Sequence, residues 1–590
     1  MDTPEIDVEA LKARYEEERA KRIRSDGAKQ YVTPTGRFAH YLEDPHVEAD
    51  APRDPVRREV DVALVGAGFG GIQAAVALAK QGVDDFLLID RAGDFGGVWY
   101  WNRYPGAACD TESYIYLPLL EETGYIPTEK YVRGPEIFAY ARSLADKFDL
   151  YRRALLRTEI TDLRWDDADG RWVLRSAQGD EIRARFVNLA TGPLQRMKLP
   201  GIPGIETFQG HAFHSARWDY AYTGGDSTGG LTKLADKRVG IIGTGPTSVQ
   251  AIPYLGRAAK QLYVFQRTPA PVPVRGNQPT DFDWARSQAP GWQMRRIENF
   301  NVIVSGGKQD EDLVADGWTE LKTKVGIELD FADPETARQR QLADFELMEK
   351  LRRRIEDTVK DKATAEALKP WFNFGCKRPC FSDEYLETFN LPGVTLVDTQ
   401  GRGVERVTET AVVAGGQAYE IDCLIYATGF DFNVGNAASR NGFEIHGRGG
   451  LTLTDKWARG GIATLHGYTM RGFPNLVIQA NAQSAVTSNL THSLGEGGRH
   501  FAYMVRHCLD RQARAFEPTE EAERAWAERV RSRTYRSRHD LECTPGYFNN
   551  DGMPGEGAGI AAFYPGSTQR LFQTLADWRA QGQMPGMEVA

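Results

Sequence analysis

Two glycine-rich turns in this sequence lead to residues of opposite charge. Gly66-Ala67-Gly68-Phe69-Gly70-Gly71 is followed by Asp90, and Gly243-Thr244-Gly245-Pro246-Thr247-Ser248 is followed by Arg267. Each charged residue lies at the same distance from its first glycine, the distance that a turn, a helix and a second strand occupy. The pattern predicts two dinucleotide sites with different ribose preferences.

The first turn has the βαβ context of a dinucleotide site. A mostly apolar strand, residues 60–65, precedes it and a helical pattern follows. Gly66 permits the tight turn, Gly68 lets the backbone approach a pyrophosphate, and Gly71 lets the helix pack on the strand. Asp90 can accept hydrogen bonds from free ribose hydroxyls and would repel a 2′-phosphate. The first unit therefore favours FAD or NAD.

The second turn points to a phosphorylated ribose. Apolar strands at 238–242 and 261–265 flank it, and the second strand delivers Arg267 and Thr268 where the first unit has its acid. Arginine offers a cationic fork to a 2′-phosphate, which argues for NADP(H). Ser248 replaces the third glycine, so we expect this helix to lie slightly farther from its strand.

Composition narrows the class of protein. The chain has 590 residues, a formal net charge of −9 and six cysteines, and its length suggests roughly three or four domains of about 150 residues. No basic footprint for nucleic acid, no membrane-spanning apolar stretch and no signal peptide is evident. We expect a cytoplasmic protein whose cysteines stay reduced and mostly serve packing. Cys376 and Cys380 are spaced CxxxC, which is not the redox CxxC.

The organisation along the chain predicts a discontinuous arrangement. The α/β fold class follows from two Rossmann-like units, and charged helical sequence such as 350–357 interrupts the second one. A late apolar strand ending near Gly429 resembles the strand ending near Gly192, so we expect the chain to return to the first domain. The predicted parts are an N-terminal extension (1–58), an FAD domain (59–196 and 426–590, with C-terminal loops), an NADP domain (197–280 and 370–425) and a helical insertion (281–369).

Three further segments are expected to be helical. The first, at 5–25, could wrap the body, mediate assembly or dock loosely as a solvated helix. Another charged helix is expected at 517–541 and a last helix near 569–581.

Two longer motifs indicate what the two nucleotides are used for. The segment from Gly96 to Asp110 fits the pattern [AG]GxWxxxx[FY]P[GM]xxxD, and the segment from Phe208 to Asp219 fits FxGxxxHxxxW[PD]. With both glycine turns, Lys377-Arg378 and Ala427–Asp431 in the same order, the chain resembles the type I Baeyer–Villiger monooxygenases over about residues 60–500. These flavoproteins insert an oxygen atom beside a ketone carbonyl.

The resemblance implies non-covalent FAD, NADPH, a ketone and O2. It implies that Arg378 stabilises a flavin C4a-peroxide and its adduct with the ketone, that Asp110 holds Arg378, and that Lys377 and Arg267 grip the 2′-phosphate. A peroxide anion needs a fixed cation because burying that charge unpaired costs several kcal/mol. The expected FAD contacts are Gly66, Gly68, Phe69, Gly71, Asp90, Gly97, Val98, Trp99, Trp101, Asp110, Tyr116 and Ile160. The expected NADP contacts are Thr244, Gly245, Pro246, Thr247, Ser248, Gln250, Arg267, Thr268, Lys377 and Arg378.

Some of these residues have a simpler interpretation. Trp99 and Trp101 could be core aromatics, and Lys377-Arg378 a surface basic pair. His214 has the chemistry of a general base, but the resemblance places it with Trp218 and Asp219 in the linker between domains, so we expect a structural role or a role in domain motion.

The C-terminal loop bears on the class of ketone substrate. The loop Cys543–Gly552 lacks the tryptophan that many relatives carry there. With the N-terminal extension, it looks more like the subgroup acting on large cyclic ketones, such as the cyclopentadecanone and polycyclic ketone monooxygenases.

A flavin N- or S-monooxygenase is the nearest alternative function, and a non-oxygenating nucleotide-binding protein is another. A disulfide reductase lacks its CxxxxC or CxxC, and the sequence does not decide between monomer and homo-oligomer.

Overall fold

Two β-sheets organise the chain, each built around one of the glycine-rich turns. The computed structural model describes residues 6–47, 53–325, 334–432, 438, 441–485, 487–533, 542–553 and 563–590. Both sheets carry parallel strands with helices packed against them, which confirms the predicted α/β class with two Rossmann-like units.

The larger sheet holds the first turn. Its central strand Arg57–Val65 lies parallel to Phe86–Ile89 on one side and to Glu181–Leu189 on the other. Residues 62–64 are fully buried, as expected for a parallel strand covered on both faces. The order across the sheet is Ile445–His446, Ile160–Asp166, Arg171–Ser176, Glu181–Leu189, Arg57–Val65, Phe86–Ile89 and Ala154–Leu155, with Leu476–Ile478 also pairing with Glu181–Leu189. Strands from late in the chain therefore complete this sheet.

The smaller sheet holds the second turn, and all its strand pairs are parallel. Its order is Val394–Asp398, Gln261–Gln266, Arg238–Ile242, Cys423–Tyr426 and His211–His214. The other strands form an antiparallel trio and two antiparallel pairs: Arg406–Val407, Ala411–Ala414 and Gln417–Glu420; Tyr31–Val32 with Leu199–Pro200; and Phe516–Pro518 with Met587–Val589.

The α-helices cover these sheets and build the helical segment after the second turn. Their bounds are Val8–Ala20, Phe69–Lys80, Val98–Trp101, Ser113–Tyr116, Leu120–Thr123, Gly134–Lys147, Tyr220–Thr223, Pro246–Ala258, Phe282–Arg286, Trp292–Val304, Gly317–Val325, Pro334–Thr358, Lys362–Leu368, Tyr385–Thr388, Leu453–Gly460, Leu490–Asp510, Glu520–Arg533 and Thr568–Ala580. In the part of the chain that the structure describes, no helix is long and apolar enough to cross a membrane.

Several sequence expectations can be compared with these bounds. The last helix lies where it was expected. The predicted charged helix at 517–541 begins at Glu520, and the portion beyond Arg533 lies outside the described residues. The segment 281–369 is mostly helical where it is described, with non-helical connections such as residues 305–316 between its helices. The domain boundaries themselves remain predictions.

The first helix of the N-terminal extension is docked. Tyr15 is 7% exposed, and its hydroxyl accepts a hydrogen bond from buried Arg352 at 3.1 Å. Arg352 also donates to the carbonyl of Pro370 at 2.7 Å. Because a buried arginine needs such partners, this contact ties the extension to the segment that leads to Lys377 and Arg378.

The expectation that the cysteines stay reduced is wrong for one pair. Cys376 and Cys543 form a disulfide between residues 167 positions apart, while the other four cysteines are free and buried. Both bonded residues belong to one apolar cluster, in which the C-terminal loop packs against the segment at 370–380. Sequence spacing carried no sign of this contact.

Candidate active site

A buried carboxylate shared by two arginines forms the centre of the candidate site. Asp110 is 3% exposed, and its two oxygens accept from Arg275 at 2.6 Å and from Arg378 at 3.4 Å. Its backbone carbonyl accepts from the indole of Trp318 at 2.9 Å. A buried carboxylate is stable only with such compensation. The predicted pairing of Asp110 with Arg378 is present in the structure.

The two arginines are held very differently. Arg275 is 11% exposed and also donates to the carbonyls of Cys109 and Phe381. Arg378 keeps 41% of its side chain exposed. Burial acts to lower the pKa of Arg378, but the Asp110 carboxylate outweighs it and raises that pKa. Arg378 is thus a permanent cation, anchored at one side and open at the other.

The first glycine turn fits a dinucleotide pyrophosphate. Gly66 has a φ of +117°, and a Cβ at Gly71 would lie 1.8 Å from the Gly66 carbonyl oxygen. Gly68 begins the helix Phe69–Lys80 without a side-chain cap, so the free N–H groups face the turn. Asp90 accepts from the amides of Ala67 and Ala92 at 2.6 and 2.8 Å, and burial raises its pKa. These residues match an FAD site.

The aromatic loop after the second strand packs directly against this turn. A Cβ at Gly68 would meet Gly97 Cα at 3.2 Å, so the two backbones touch. Trp99 donates from its indole to Tyr116 at 2.9 Å, and burial raises the pKa of that phenol. Val98 keeps 36% of its surface exposed beside them. The loop is therefore positioned to contact a flavin.

Trp101 lies apart from that hydrogen bond. The guanidinium of Arg217 stacks 3.7 Å from the centroid of its ring, and Arg91 lies on it at 5.2 Å. Arg217 is buried, and burial with the charge of Arg91 lowers its pKa to about 9. Ile160 begins a strand of the larger sheet and packs in the apolar core.

The second turn leaves room for a nucleotide. Nothing lies within 4 Å of a Cβ built at Gly245, which begins the helix Pro246–Ala258 without a side-chain cap. Thr244 donates to the carbonyl of Thr268, and the Thr268 hydroxyl is buried without a hydrogen-bond partner. An unsatisfied buried hydroxyl at this place suits a ribose phosphate. Ser248 buries its side chain completely, and the larger distance between this helix and its strand stays a prediction.

Two cations of the second unit lie beside the C-terminal loop. Arg267 donates to Asp551 at 3.3 Å and to Gln30 of the N-terminal extension. Lys377 donates to the carbonyl of Pro545 at 3.0 Å. Burial, followed by repulsion from Arg267, lowers the pKa of Lys377 to about 7. Such a lysine gains its proton most readily when an anion arrives.

The amide of Gln250 connects the two units. It donates to the carbonyl of Ala108 at 2.9 Å and accepts from the hydroxyl of Tyr104 at 2.8 Å. Thr247 lies within hydrogen-bonding reach of the same tyrosine hydroxyl. The helix of the second turn therefore steadies the loop that ends in Asp110.

His214 is packed as a structural residue. Its ring is fully buried, accepts the amide of Ala216 at 3.1 Å and has a pKa lowered to about 3 by burial. It is neutral at ordinary pH and ends a strand of the smaller sheet.

Sequence reasoning missed the residues that reach the site from distant segments. Arg275 and Gln30 belong to none of the motifs, and Arg217 occupies a variable position of the second long motif. The signal for each is a contact with a residue far away in sequence, and no local pattern carries it.

Comparisons with known proteins identify the family. Residues 60–325 match the family described as pyridine nucleotide-disulphide oxidoreductase. The chain is 48% identical to the Baeyer-Villiger monooxygenase ATR8 of Stachybotrys chlorohalonatus, over 99% of this chain and 95% of that one.

Solved structures agree. The polycyclic ketone monooxygenase of Thermothelomyces thermophila aligns with a TM-score of 0.92 at 39% identity, over 99% of each chain. The complex of OTEMO with FAD and NADP aligns with a TM-score of 0.75 at 28% identity, over 90% of this chain and 99% of that one. The protein therefore belongs to the Baeyer–Villiger monooxygenases, enzymes that use FAD and NADPH to convert cyclic ketones to lactones.

Proposed function

We propose that this enzyme acts on a bulky, polycyclic ketone. The support is the alignment over nearly the whole length with a structure named for polycyclic ketones, at a higher TM-score than the alignment with OTEMO. The C-terminal loop, which has no tryptophan between Cys543 and Gly552, agrees with this substrate class.

We propose that Arg378 is the catalytic cation. FAD, when bound, takes a hydride from NADPH and passes the electrons to O2. The Arg378 guanidinium then offers a fixed positive charge to the negative charge that develops on the reacting oxygen atoms, as preorganised donors do in other enzymes. Asp110 orients Arg378 without covering its exposed side. The single observation that carries this role is the buried Asp110 carboxylate beside a half-exposed arginine.

The nucleotide roles complete the proposal. The first turn, Asp90 and the loop at 97–101 would hold FAD, and the second turn with Thr268 would hold NADP. Arg267 and Lys377 would bind the 2′-phosphate as charge-assisted donors. A cytoplasmic location and the domain boundaries given above belong to the same proposal. The family assignment gives no support to N- or S-oxygenation.

A substrate panel tests the function. The FAD-loaded enzyme is incubated with NADPH, ¹⁸O₂ and ketones that range from cyclohexanone to tetracyclic ketones, and the products are weighed by mass spectrometry. We expect lactones carrying one labelled oxygen, with the highest kcat/KM for ketones of three or more rings. NADPH consumption without lactone from any polycyclic ketone would contradict the substrate class.

A further inference from the structure

A cavity lies between the N-terminal extension and the C-terminal loop. Its volume is about 230 Å³, and its lining includes Tyr31 of the extension, Tyr547 and Asp551 of the C-terminal loop, and Lys198. Pockets that hold a whole drug-sized ligand have volumes of about 300–1,000 Å³. This cavity suits one end of a larger molecule.

Arg267 is bonded to Asp551, a residue of the cavity lining, and is held by both segments. Gln30 accepts from one of its nitrogens and Asp551 from another, while the Tyr31 hydroxyl lies within hydrogen-bonding reach. Buried Arg22 of the extension donates to the Arg267 backbone carbonyl at 3.3 Å. The extension therefore fixes both the side chain and the backbone of Arg267.

Gln30 is itself rigidly placed. Its carbonyl accepts from the amide of Gly201 at 2.8 Å, and its side-chain amide donates to the carbonyl of Gly27 at 2.7 Å. The next residue, Tyr31, pairs with Pro200 in an antiparallel ladder. A preorganised acceptor holds a guanidinium at little cost in side-chain entropy when a ligand binds.

The extension and the C-terminal loop also contact each other. Arg19 donates to the carbonyl of Cys543 at 3.2 Å, and a Cβ at Gly27 would lie 2.3 Å from Met553 Cγ. The extension and the C-terminal loop both line the cavity, and the Cys376–Cys543 disulfide ties the segment bearing Lys377 to that loop.

The chemistry of the wall selects an aromatic anion. Lys29 and Lys198 line the cavity, and Arg267 adds a third cation through its bond to the lining residue Asp551. The Lys198 ammonium lies 4.0 Å from the centre of the Tyr31 ring. Asp431 and Asp551 supply fewer opposing charges. Tyrosine rings can stack on a base, and converging cations suit a dianionic phosphate.

We propose that this cavity receives the 2′-phosphorylated adenosine of NADPH, and that the N-terminal extension is part of the site through Gln30 and Tyr31. This inference rests on the NADP assignment within the proposed function. Gln30 is a positioning residue that acts through Arg267. It sets the direction of the guanidinium toward the phosphate.

Calorimetry with a nucleotide fragment tests this. The probe 2′,5′-ADP is titrated into the full-length, FAD-loaded protein, and 5′-ADP serves as the probe without a 2′-phosphate. We expect Gln30→Leu to weaken 2′,5′-ADP binding by about tenfold, because it removes a hydrogen bond to a charged group, and to leave 5′-ADP binding unchanged. The KM for NADPH should rise by a similar factor while kcat stays within about twofold.

Matched variants keep the test falsifiable. Arg37→Ala lies on the same extension, 65% exposed and paired with Glu206, and should bind both probes like the wild type. Tyr31→Phe provides a second test if Gln30→Leu is poorly folded, with the same loss confined to the 2′-phosphate. Equal affinities in Gln30→Leu and the wild type would overturn the inference, as would an equal loss for both probes. Intact probe binding without lactone formation would instead count against the proposed reaction.

Discussion

Replacing Arg275 tests how one carboxylate serves two arginines. Asp110 is 2.6 Å from Arg275 and 3.4 Å from Arg378, so most of its charge is compensated by Arg275. In Arg275→Met the carboxylate has Arg378 as its remaining side-chain cation. We expect the Arg378 contact to shorten and the guanidinium to turn away from the reacting oxygen atoms.

The size of the effect follows from that distance. Closing the ion pair from 3.4 Å to about 2.7 Å gains about 1.3 kcal/mol at an effective dielectric constant of about 20. Arg378 would have to give up that energy to turn back toward the reacting oxygen atoms. The activation free energy would rise by the same amount, which corresponds to about a tenfold fall in the rate of lactone formation. The free energy of unfolding should fall by about 2–3 kcal/mol, less than the ~3–5 kcal/mol typical of a broken buried pair, because Arg378 still faces the carboxylate.

The assay compares lactone formed with NADPH consumed. Arg275→Met should waste NADPH as hydrogen peroxide, whereas Arg275→Lys, which keeps the charge but loses the bonds to Cys109 and Phe381, should give an intermediate ratio. Arg286→Met is the matched control, because Arg286 is 66% exposed and pairs only weakly, at 3.6 Å, with the exposed Asp283. Wild-type coupling in a folded Arg275→Met protein would refute the idea that Asp110 is shared.

Three further predictions concern neighbouring residues. Arg378→Ala should lower lactone formation by about 10²–10³-fold while NADPH oxidation continues; retained lactone formation would remove its catalytic role. Thiol titration of the denatured, unreduced protein should find four free cysteines, and Cys376→Ser should lower the free energy of unfolding by about 2–4 kcal/mol; six free thiols would contradict the pairing. The pKa of Lys377 is lowered to about 7, so in the free enzyme Lys377 loses its proton above that pH. When a phosphate is bound, its negative charge keeps Lys377 protonated. The affinity for 2′,5′-ADP should therefore fall as pH rises from about 7 to 9, by at most about tenfold per unit, and Lys377→Met should flatten this dependence.

Local physics made the two nucleotide units readable from sequence. The positive φ of Gly66 and the crowding at Gly71 demand glycine wherever this turn is built, so the pattern appears in the sequence itself. Asp90 and Arg267 follow at a distance fixed by one helix and one strand. The fold class and both cofactors could be inferred for that reason.

Contacts between distant segments could not be inferred in this way. Arg275 reaches an aspartate 165 positions away, and Cys376 meets Cys543 through a separation of 167. Neither residue has a local signature, since an arginine in a loop and a cysteine in an apolar stretch are common in any chain. Their partners are fixed by tertiary packing of the helical segment and the C-terminal loop. The extension is likewise docked by Arg352, a buried charge within the charged helical sequence at 350–357.

The wall around the nucleotide cavity also has a consequence for synthesis. Arg267 is separated by 284 residues from Asp551, a stretch that takes a ribosome roughly 15–60 s to translate at about 5–20 residues per second. Arg267 leaves the ribosome well before the loop that covers it. A nascent chain would thus carry an open cationic patch for most of that time, and nucleotide affinity should appear only with the final segments. Ribosome-stalled chains of increasing length can be tested for retention on immobilised 2′,5′-ADP. The shortest chain that is retained shows how much of the sequence the nucleotide site needs.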